Sequence, residues 1–441
     1  MIKIERFKTI LKLAFPINIA LGLNLTMALV DLALVGRLGN YATAALGLSI
    51  YSNTLVLAFV LGVTPAVQGI VARRRGEGST EPGCLPLNAG LLIALLVGVP
   101  LTIICWFLTP FFFSFLSSDP EVTRIGVSYL QILYLAIIAV GMNAAFMGFW
   151  TGMGKPKVYM LIVLFMQCLN AFLAYTLIFG HFGAPALGVK GAAIATASSL
   201  YAGAAINFAI TYIRFPKDGF LSVKPKGALL MRVLTLGAPK TLQEFFFSAG
   251  FVVFFWLVGQ MGTTELAATN VLTRFSTVLV LMAMSLGMAS ATLVSKALGE
   301  GDLAGAARWG WDSAKLGVSA ITLLGLPLFL FPRTFLSVFL TDPHTISIAV
   351  LPLQITAVGT GAASLIYIFA YTLYSMGDGK RVMLVSLSTQ WIFFLPAVWV
   401  VGPYLHYGLS HVWVVQSAYA GLAATLITTL WAGGRWQKIK I

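Results

Sequence analysis

Long apolar stretches separated by short polar segments make up almost the whole chain. Gly, Pro, Lys and Arg cluster in the short segments. Most of the apolar stretches are long enough to cross a bilayer as a helix, which takes about 20 residues. The alternating pattern typical of membrane β-strands does not occur. Because only helices and closed barrels satisfy their backbone hydrogen bonds in lipid, the pattern predicts an all-α membrane protein with twelve transmembrane helices.

The composition excludes a water-soluble globule, since 59% of the residues are hydrophobic and 10% are charged. The first apolar stretch begins near Leu13 and continues to Gly36 without a small-residue cleavage site. We therefore expect a retained first helix and not a removed signal peptide. The cysteines, Cys84, Cys105 and Cys168, have no metal-ligand spacing and are expected to be free thiols.

The net charge of +14 has the distribution that the positive-inside rule expects. With a cytoplasmic N-terminus, the inner segments hold most of the 28 Lys and Arg residues, including the run ARRRGEG at 72–78. The outer side receives only Arg37, Arg124, Lys190, Arg274 and Arg333. We predict a multi-pass protein of the inner (cytoplasmic) membrane with both termini in the cytoplasm. A nucleic-acid partner is not expected, because the orientation of the helices in the membrane already explains the excess of positive charge.

The two halves of the chain repeat one another with a constant offset of 223 residues. LAFP at 13–16 corresponds to LGAP at 236–239, and VGRLG at 35–39 to VGQMG at 258–262. The same offset joins Gly76-Glu77-Gly78 to Gly299-Glu300-Gly301 and Asp119-Pro120 to Asp342-Pro343. The repeat predicts an N-lobe of six helices in residues 1–219 and a C-lobe of six helices in residues 220–441. The hydrophilic stretch RFPKDGFLSVKPKG at 214–227 joins them.

Each predicted half contains an even number of spans, so both halves enter the membrane in the same sense. We expect an axis along the bilayer normal to relate them. Such an architecture predicts a central cavity between the two lobes and alternating access as the lobes rock against each other. The alternative is a duplication that serves only stability.

Asp31 differs from the other ionisable residues of the predicted spans. Such residues usually face a protein interior or a water-filled cavity and mark ion or substrate paths. No basic residue lies within one helical turn of Asp31, and its repeat equivalent is Phe254. Because burial penalises the ionised form of a carboxyl group, Asp31 is a candidate proton carrier. Asn24 and Met27 precede it on the same helix face.

Further polar residues of the predicted N-lobe are candidates for contact with Asp31 or with water in a cavity, or for polar contacts between helices. They are Tyr129, Gln131, Tyr134, Asn143, Gln167, Asn170, Thr196 and Asn207. Pro16 lies inside the first span, where its missing backbone hydrogen bond favours a kink that could transmit a charge change at Asp31. A static kink is the alternative. Trp391 falls at mid-depth and is a candidate cavity wall, with ordinary core packing as the alternative, whereas the other tryptophans map near span ends.

No enzymatic motif is present. The chain contains no HExxH, no GxSxG and no Walker A sequence, and its four histidines map to outer loops. We expect neither an enzyme nor a cofactor. Lys240 and Glu244, four residues apart in the seventh span, are expected to pair with each other. Their role and that of Arg274 stay open.

The stretch LTMALVDLALVGRLG at 25–39, together with Pro16, resembles the MATE (multidrug and toxic compound extrusion) family of transporters. The likeness extends through GEG at 76–78, GMGKP at 152–156, LIFG at 177–180 and GVKGAAIATA at 188–197, and covers the whole chain. It implies a two-lobe exporter of amphipathic, often cationic drugs, driven by inward H⁺ or Na⁺. It also implies that Asp31 is the coupling acid and Pro16 the bending proline. Asn170 and, less closely, Thr196 match the polar ligands of the coupling site.

This chain departs from the family pattern at three acids. The family's fifth-helix aspartate is Ala174 here, its seventh-helix glutamate is Phe247 with Glu244 out of register, and its tenth-helix aspartate falls at about Ala363. The chain therefore looks closer to the DNA-damage-inducible (DinF-like) branch, in which coupling sits in the N-lobe. One acid instead of two favours a proton over Na⁺, whose oxygen cage needs more ligands.

These observations predict a monomeric H⁺/drug antiporter. Its expected coupling residues are Asp31, Asn170, Tyr129 and Thr196, and its expected substrate-cavity residues are Asn24, Met27, Gln167, Asn143, Asn207 and Trp391. A Na⁺-coupled exporter is the first alternative. A flippase of lipid-linked oligosaccharides is the second, although only Lys240 and Arg274 are available to bind a pyrophosphate. A membrane-embedded enzyme or scaffold subunit is the third.

Overall fold

A computed structural model describes residues 4–79, 83–117 and 119–439 of the chain. The described residues form helices and short connections and contain no strand. The α-helices are α1 (Ile4–Gly36), α2 (Asn40–Leu61), α3 (Val63–Glu77), α4 (Leu85–Leu116), α5 (Pro120–Leu135), α6 (Ile137–Gly152), α7 (Pro156–Phe179), α8 (Val189–Arg214), α9 (Gly227–Gly259), α10 (Thr263–Gly299), α11 (Leu303–Leu330), α12 (Pro332–Leu336), α13 (Pro343–Ser375), α14 (Gly379–Leu387), α15 (Leu395–Trp399) and α16 (Leu409–Ala432).

Eleven helical segments of the described residues are long and apolar enough to cross a membrane. One of them, Asn40–Glu77, combines α2 and α3, and another, Gly379–Tyr404, combines α14 and α15 with two π-helical stretches. The pair of α5 and α6, bent by 44° relative to each other, is long and apolar enough when taken together, and counted as one span it makes twelve. The predicted all-α membrane fold is therefore confirmed.

The repeated Asp-Pro landmarks begin equivalent helices. The Asp119 carboxylate accepts hydrogen bonds from the backbone N–H groups of Glu121 (2.8 Å) and Val122 (3.2 Å), and so caps α5. Asp342 caps α13 in the same way by accepting from the N–H of Thr345 at 2.8 Å. Proline follows each aspartate, at the first helical position, where it has no backbone N–H to satisfy. The sequence repeat is thus a repeat of local structure.

The repeated Gly-Glu-Gly landmarks end equivalent helices. An ion pair between Arg73 and Glu77 (3.5 Å) closes the last turn of α3, and one between Lys296 and Glu300 (3.1 Å) lies at the end of α10. Gly78 then adopts the left-handed conformation (φ 61°), and its N–H donates to the Arg74 carbonyl. A glycine in this conformation is the commonest way to terminate a helix.

The helices form two compact units. The N-unit contains Ile19–Thr241, and the C-unit contains the residues up to Asn18 and those from Leu242 onward. A division of the chain between residues 219 and 220 would place the start of α1 in the N-unit and the start of α9 in the C-unit. In the structure, each of these two segments belongs to the other unit. Ile10 and Ala14 of α1 are buried in an apolar cluster with Leu286 and Ala289 of the C-unit, which explains the place of the first segment.

The two crossings between units obey the sequence repeat. The chain passes from the C-unit to the N-unit after Asn18, and back after Thr241. Each crossing lies two residues beyond a proline, Pro16 in α1 and Pro239 in α9. The offset of 223 residues therefore relates the prolines and the crossings alike.

Several tryptophans that map near span ends are buried in the core of their unit. Trp150 donates from Nε1 to Asn207 Oδ1 at 2.9 Å, and Trp413 donates from Nε1 to Thr356 Oγ1 at 2.8 Å. Trp431 is also fully buried, 4.2 Å from another tryptophan ring. These three side chains therefore contact the interior of their own unit.

The hydrophilic stretch between the two halves is docked on the start of α4. The Asn88 side chain is buried, and its Nδ2 donates to the carbonyl oxygens of Gly219 (2.9 Å) and Val223 (3.0 Å). Its Oδ1 accepts from the N–H of Leu221 at 3.2 Å. Leu221 has a φ of 57°, a left-handed conformation that is unfavourable for leucine. One buried amide therefore holds a strained turn of the connection.

Replacing Asn88 with Ala should release this connection. Two backbone carbonyls and one N–H would lose their partner, which typically costs about 1–3 kcal/mol for each group that stays buried. We expect Asn88→Ala to lower the thermal unfolding temperature in detergent and to accelerate tryptic cleavage after Lys217 and Lys226, both of which are exposed. Asn270→Ala is the control, since the exposed Asn270 donates only within its own helix. Unchanged cleavage of Asn88→Ala would contradict the docking.

The Cys84 thiol should resist alkylation in the folded protein. Burial, together with the nearby Asp218 carboxylate, raises the pKa of Cys84 to about 12. The thiolate is the reactive form, so a maleimide at pH 8 should label Cys84 only after denaturation. The measurement needs a background in which Cys105 and Cys168 are replaced by Ala. Ser222→Cys without Cys84, in the exposed part of the same connection, should label at once; equal labelling rates for the two thiols would refute the burial.

Candidate functional site

Asp31 lies in the part of α1 that belongs to the N-unit. One turn later, Val35 is buried in an apolar cluster that includes Tyr129 of α5, Ala174 of α7 and Ala195 of α8. This packing fixes the last turns of α1 against three helices. As a result, the Asp31 carboxyl faces side chains of the N-unit.

The four residues predicted to couple transport to a cation lie together. Thr196 is the hydrogen-bonding neighbour of the Asp31 carboxyl, and Tyr129 lies within electrostatic range of the same group. Asn170 donates from Nδ2 to the Thr196 hydroxyl at 3.2 Å, and that hydroxyl donates to the Ala192 carbonyl at 3.1 Å. The site therefore links α1, α5, α7 and α8 through polar groups that carry no charge other than that of Asp31.

Two acceptor atoms of this site have no donor. Asp31 Oδ1 and Asn170 Oδ1 are buried, and no hydrogen-bond donor among residues 4–79, 83–117 and 119–439 reaches them. Over the same residues, Asp31 has no ion-pair partner. A buried acceptor without a donor is destabilising and rare in folded proteins. Such a site can bind a proton, a water molecule or a small cation, because each would satisfy these oxygens.

Asn24 and Gln167 form a second polar contact between α1 and α7. Gln167 donates from Nε2 to Asn24 Oδ1 at 2.6 Å, and Asn24 is exposed on the surface of the N-unit. Met27, one turn from Asp31, is buried. The amide pair is therefore exposed, whereas Met27 is covered by its neighbours.

Asn143 and Asn207 instead form a closed network. Asn207 donates from Nδ2 to Asn143 Oδ1 at 3.2 Å and accepts from Trp150. Asn143 donates from Nδ2 to the Leu200 carbonyl at 2.9 Å. Both amides are buried, with 4% and 0% of their surface exposed. This arrangement favours the alternative interpretation, a polar contact that fastens α6 to α8, over a role in a cavity.

Pro16 and Trp391 belong to the C-unit. Pro16 is buried within the continuous helix α1, two residues before the chain enters the N-unit. Trp391 is 37% exposed, and its Nε1 donates to the Phe246 carbonyl at 3.3 Å. The indole is therefore fixed by a backbone contact while part of its ring stays accessible.

The sequence analysis did not single out the small residues that bring α7 and α8 together. At Gly191, an added Cβ would lie 2.5 Å from the Leu177 carbonyl oxygen of α7. Ala192 and Ala195, on the following turns of α8, are buried in the cluster that surrounds Asp31. Small residues permit such close helix contacts in membranes. The signal was present in GVKGAAIATA, where small residues occupy most positions.

Comparison with known proteins gives one family. The MatE family model matches residues 16–176 and 239–400. Its two matched stretches begin at Pro16 and Pro239, the repeat-related prolines described above.

Relatives and solved structures agree with this match. A probable multidrug resistance protein NorM of Thermotoga maritima is 26% identical over 98% of this chain and 93% of its own length. The multidrug resistance protein NorM of Vibrio cholerae is 26% identical over 89% of this chain and 87% of its own length. A MOP superfamily transporter from Pyrococcus furiosus, described by a reversed polarity of its binding pocket, has the same fold. Its TM-score is 0.88 at 18% identity, covering 99% of this chain and 97% of the other.

Gly191→Ala should separate α8 from α7. The added methyl group meets a backbone carbonyl that cannot rotate away, and overpacking of this kind costs about 1–3 kcal/mol. We expect a lower unfolding temperature in detergent and loss of the contact between Asn170 and Thr196. Gly47→Ala is the matched control in the N-unit, because nothing lies within 4 Å of a Cβ at Gly47. Equal unfolding temperatures of the two variants would show that the close approach of α7 and α8 at Gly191 does not contribute to stability.

Proposed function

The chain belongs to the MatE family of multidrug efflux transporters, and from this membership we propose that it exports amphipathic, often cationic drugs in exchange for protons. The proposed site of exchange is Asp31 in the N-unit. The proposed setting is the inner membrane, with both termini in the cytoplasm and a monomer as the working unit. The proton is the only coupling species required, and no cofactor takes part.

The observation that carries the proposal is the buried acceptor Asp31 Oδ1, which no donor of the described chain reaches. A proton on the carboxyl group turns one oxygen from an acceptor into a donor. The Thr196 hydroxyl, adjacent to the carboxyl, already donates to the Ala192 carbonyl and can accept from a protonated Asp31. Protonation therefore removes a buried charge that has no ion-pair partner and adds a hydrogen bond from the carboxyl group.

The ligand set supports a proton over Na⁺. Asp31 is the one carboxylate of the site, and Ala174 occupies the position at which the family resemblance implies a second. A bound Na⁺ would have to draw its oxygens from Asp31, Asn170 and Thr196, together with water. Thr196 and Asn170 are already bonded to each other, which leaves Asp31 Oδ1 and Asn170 Oδ1 as the free oxygens.

Bending of α1 at Pro16 connects protonation to drug release. The helix starts in the C-unit, passes Pro16 and carries Asp31 within the N-unit. Proline removes one backbone hydrogen bond of the helix and so lowers the cost of a bend there. In the proposed cycle, a proton from the outside neutralises Asp31, α1 changes its geometry near Pro16, and the space available to the drug shrinks.

The driving force is sufficient in scale for a secondary transporter. One charge that crosses a potential of 100 mV supplies about 2.3 kcal/mol. A tenfold proton gradient adds about 1.4 kcal/mol. For an uncharged drug, the two values together correspond to a gradient of several hundredfold for each proton exchanged, since about 1.4 kcal/mol equals a factor of ten. For a monovalent cationic drug the exchange moves no net charge, so the tenfold proton gradient alone supports a drug gradient of about tenfold.

Asp31→Asn should abolish proton-driven transport. The amide keeps the size of the side chain and cannot exchange a proton, so efflux of an ethidium-like cation from proteoliposomes under a pH gradient should fall to the level of empty vesicles. Glu121→Gln is the control, because Glu121 is an exposed carboxylate paired with Arg124. Unchanged efflux by Asp31→Asn would refute the mechanism. Transport driven by an imposed Na⁺ gradient, and not by a pH gradient, would replace the proton with Na⁺.

The same vesicles test the flippase alternative. Lys240 is buried and Arg274 is exposed, so the pair does not offer a cluster of cations for a pyrophosphate group. Stimulated proton flux on addition of a drug supports export of drugs. Proton flux that responds only to a lipid-linked oligosaccharide would favour the flippase.

A further inference from the structure

The first turns of α1 are fastened to the C-unit by an ion pair. Arg6 donates from Nη1 to Asp312 Oδ2 of α11 at 2.6 Å. The pair is largely covered, with 19% and 15% of the two side chains exposed. The Arg6 guanidinium also lies over the Trp309 ring, 4.1 Å from its centroid. Arginine is suited to such a double contact, because its planar head can pair with a carboxylate and stack on an aromatic ring at once.

Apolar packing continues this attachment along α1. Ile10 and Ala14, on the next turns, are buried against Leu286 and Ala289 of α10. The charged contact and the apolar contact therefore lie on one side of the same segment. The segment ends where Pro16 interrupts the hydrogen bonds of the helix and the chain enters the N-unit.

The repeat shows that this ion pair is specific to α1. The residues equivalent to Arg6, Asp312 and Trp309 at the offset of 223 are Leu229, Ala89 and Pro86. The equivalent positions at the start of α9 and in α4 therefore hold neither the cation, nor the carboxylate, nor the aromatic ring.

The start of α9 is instead held by a close backbone approach. A Cβ at Gly237 would lie 2.9 Å from the Gly62 carbonyl oxygen. Both glycines belong to the N-unit. The two crossing helices therefore have equivalent places in the repeat and different attachments.

The chemical asymmetry of the two repeats coincides with this difference. The helix that carries the ion pair also carries Asp31, whereas the equivalent position of α9 is the buried Phe254. The ion pair and Asp31 both depart from the repeat, and they lie on the same helix on opposite sides of its proline. This placement indicates that the two act together.

We propose that Arg6, Asp312 and Trp309 form an anchor that holds the start of α1 in the C-unit and thereby makes a change at Asp31 bend the helix at Pro16. This inference rests on the proposed proton exchange at Asp31. Arg6 and Asp312 are positioning residues, since neither touches the proton or the drug. Without the anchor, the start of α1 follows the rest of the helix, and protonation no longer changes its geometry relative to the C-unit.

The test measures coupling and stability separately. Asp312→Asn and Arg6→Gln remove one charge each, and the ratio of exported ethidium-like cation to translocated protons is measured in proteoliposomes. We expect this ratio to fall by about fivefold or more, the range of ordinary coupling between sites. The charge exchange Arg6→Asp with Asp312→Arg should recover coupling relative to either of its single substitutions.

The control is a pair of similar chemistry in the same unit. Lys296→Ala removes the exposed ion pair with Glu300 at the end of α10 and should leave the ratio unchanged. Thermal unfolding in detergent is recorded for every variant. Loss of transport that follows loss of stability, without recovery on charge exchange, would overturn the anchor and leave a structural role only.

Asp31→Asn separates failure of the anchor from failure of the proposed function. If Asp31→Asn abolishes proton-driven efflux while Asp312→Asn and Arg6→Gln keep the ratio of the natural protein, the anchor is refuted and the exchange at Asp31 stands. If Asp31→Asn transports normally, the proposed function fails, and the anchor fails with it.

Discussion

The constraint on which the rest of the structure depends is a carboxyl group placed within a membrane-spanning helix without a countercharge. Transferring an unpaired carboxylate out of water is costly, and proteins usually pair such a group with a cation. Around Asp31 the N-unit provides a hydroxyl, a phenol and an amide instead. These groups lie near the carboxyl group without supplying a countercharge. In the proposed mechanism, the lack of a fixed ion pair allows Asp31 to exchange a proton.

Duplication supplies the scaffold, and departures from the duplication supply the chemistry. The helix caps at Asp119 and Asp342 and the terminal ion pairs of α3 and α10 occur in both halves because each half has to build the same helices. Asp31 has no acidic counterpart, since its equivalent is Phe254. In the proposed mechanism, two halves of similar shape alternate, and the proton is exchanged in only one of them.

Hydropathy and helical periodicity predicted most of the fold, because they depend on spacing along single helices. The grouping of Asp31 with Thr196 and Asn170, which lie on three different helices, was implied only by the family resemblance. Partners far apart in the chain were not predictable from periodicity. Nothing in the sequence distinguishes Asn207, which bonds within a buried network, from an amide that lines a cavity. The docking of the connection depends on Asn88, which lies more than a hundred residues before it. The place of the start of α1 in the C-unit depends on packing that no periodicity records.

The position of Pro16 gives these observations one mechanical consequence. A continuous helix resists bending wherever its backbone hydrogen bonds are complete, so deformation concentrates where a proline has removed one. In α1 the proline stands between a segment held by Arg6 and a segment that carries Asp31. In α9 the equivalent Pro239 precedes Phe254, which carries no ionisable group. Of the two crossing helices, α1 is therefore the one that combines a fixed first segment, a proline and a buried carboxyl group. In the proposed cycle these three features convert protonation into a movement of the helix.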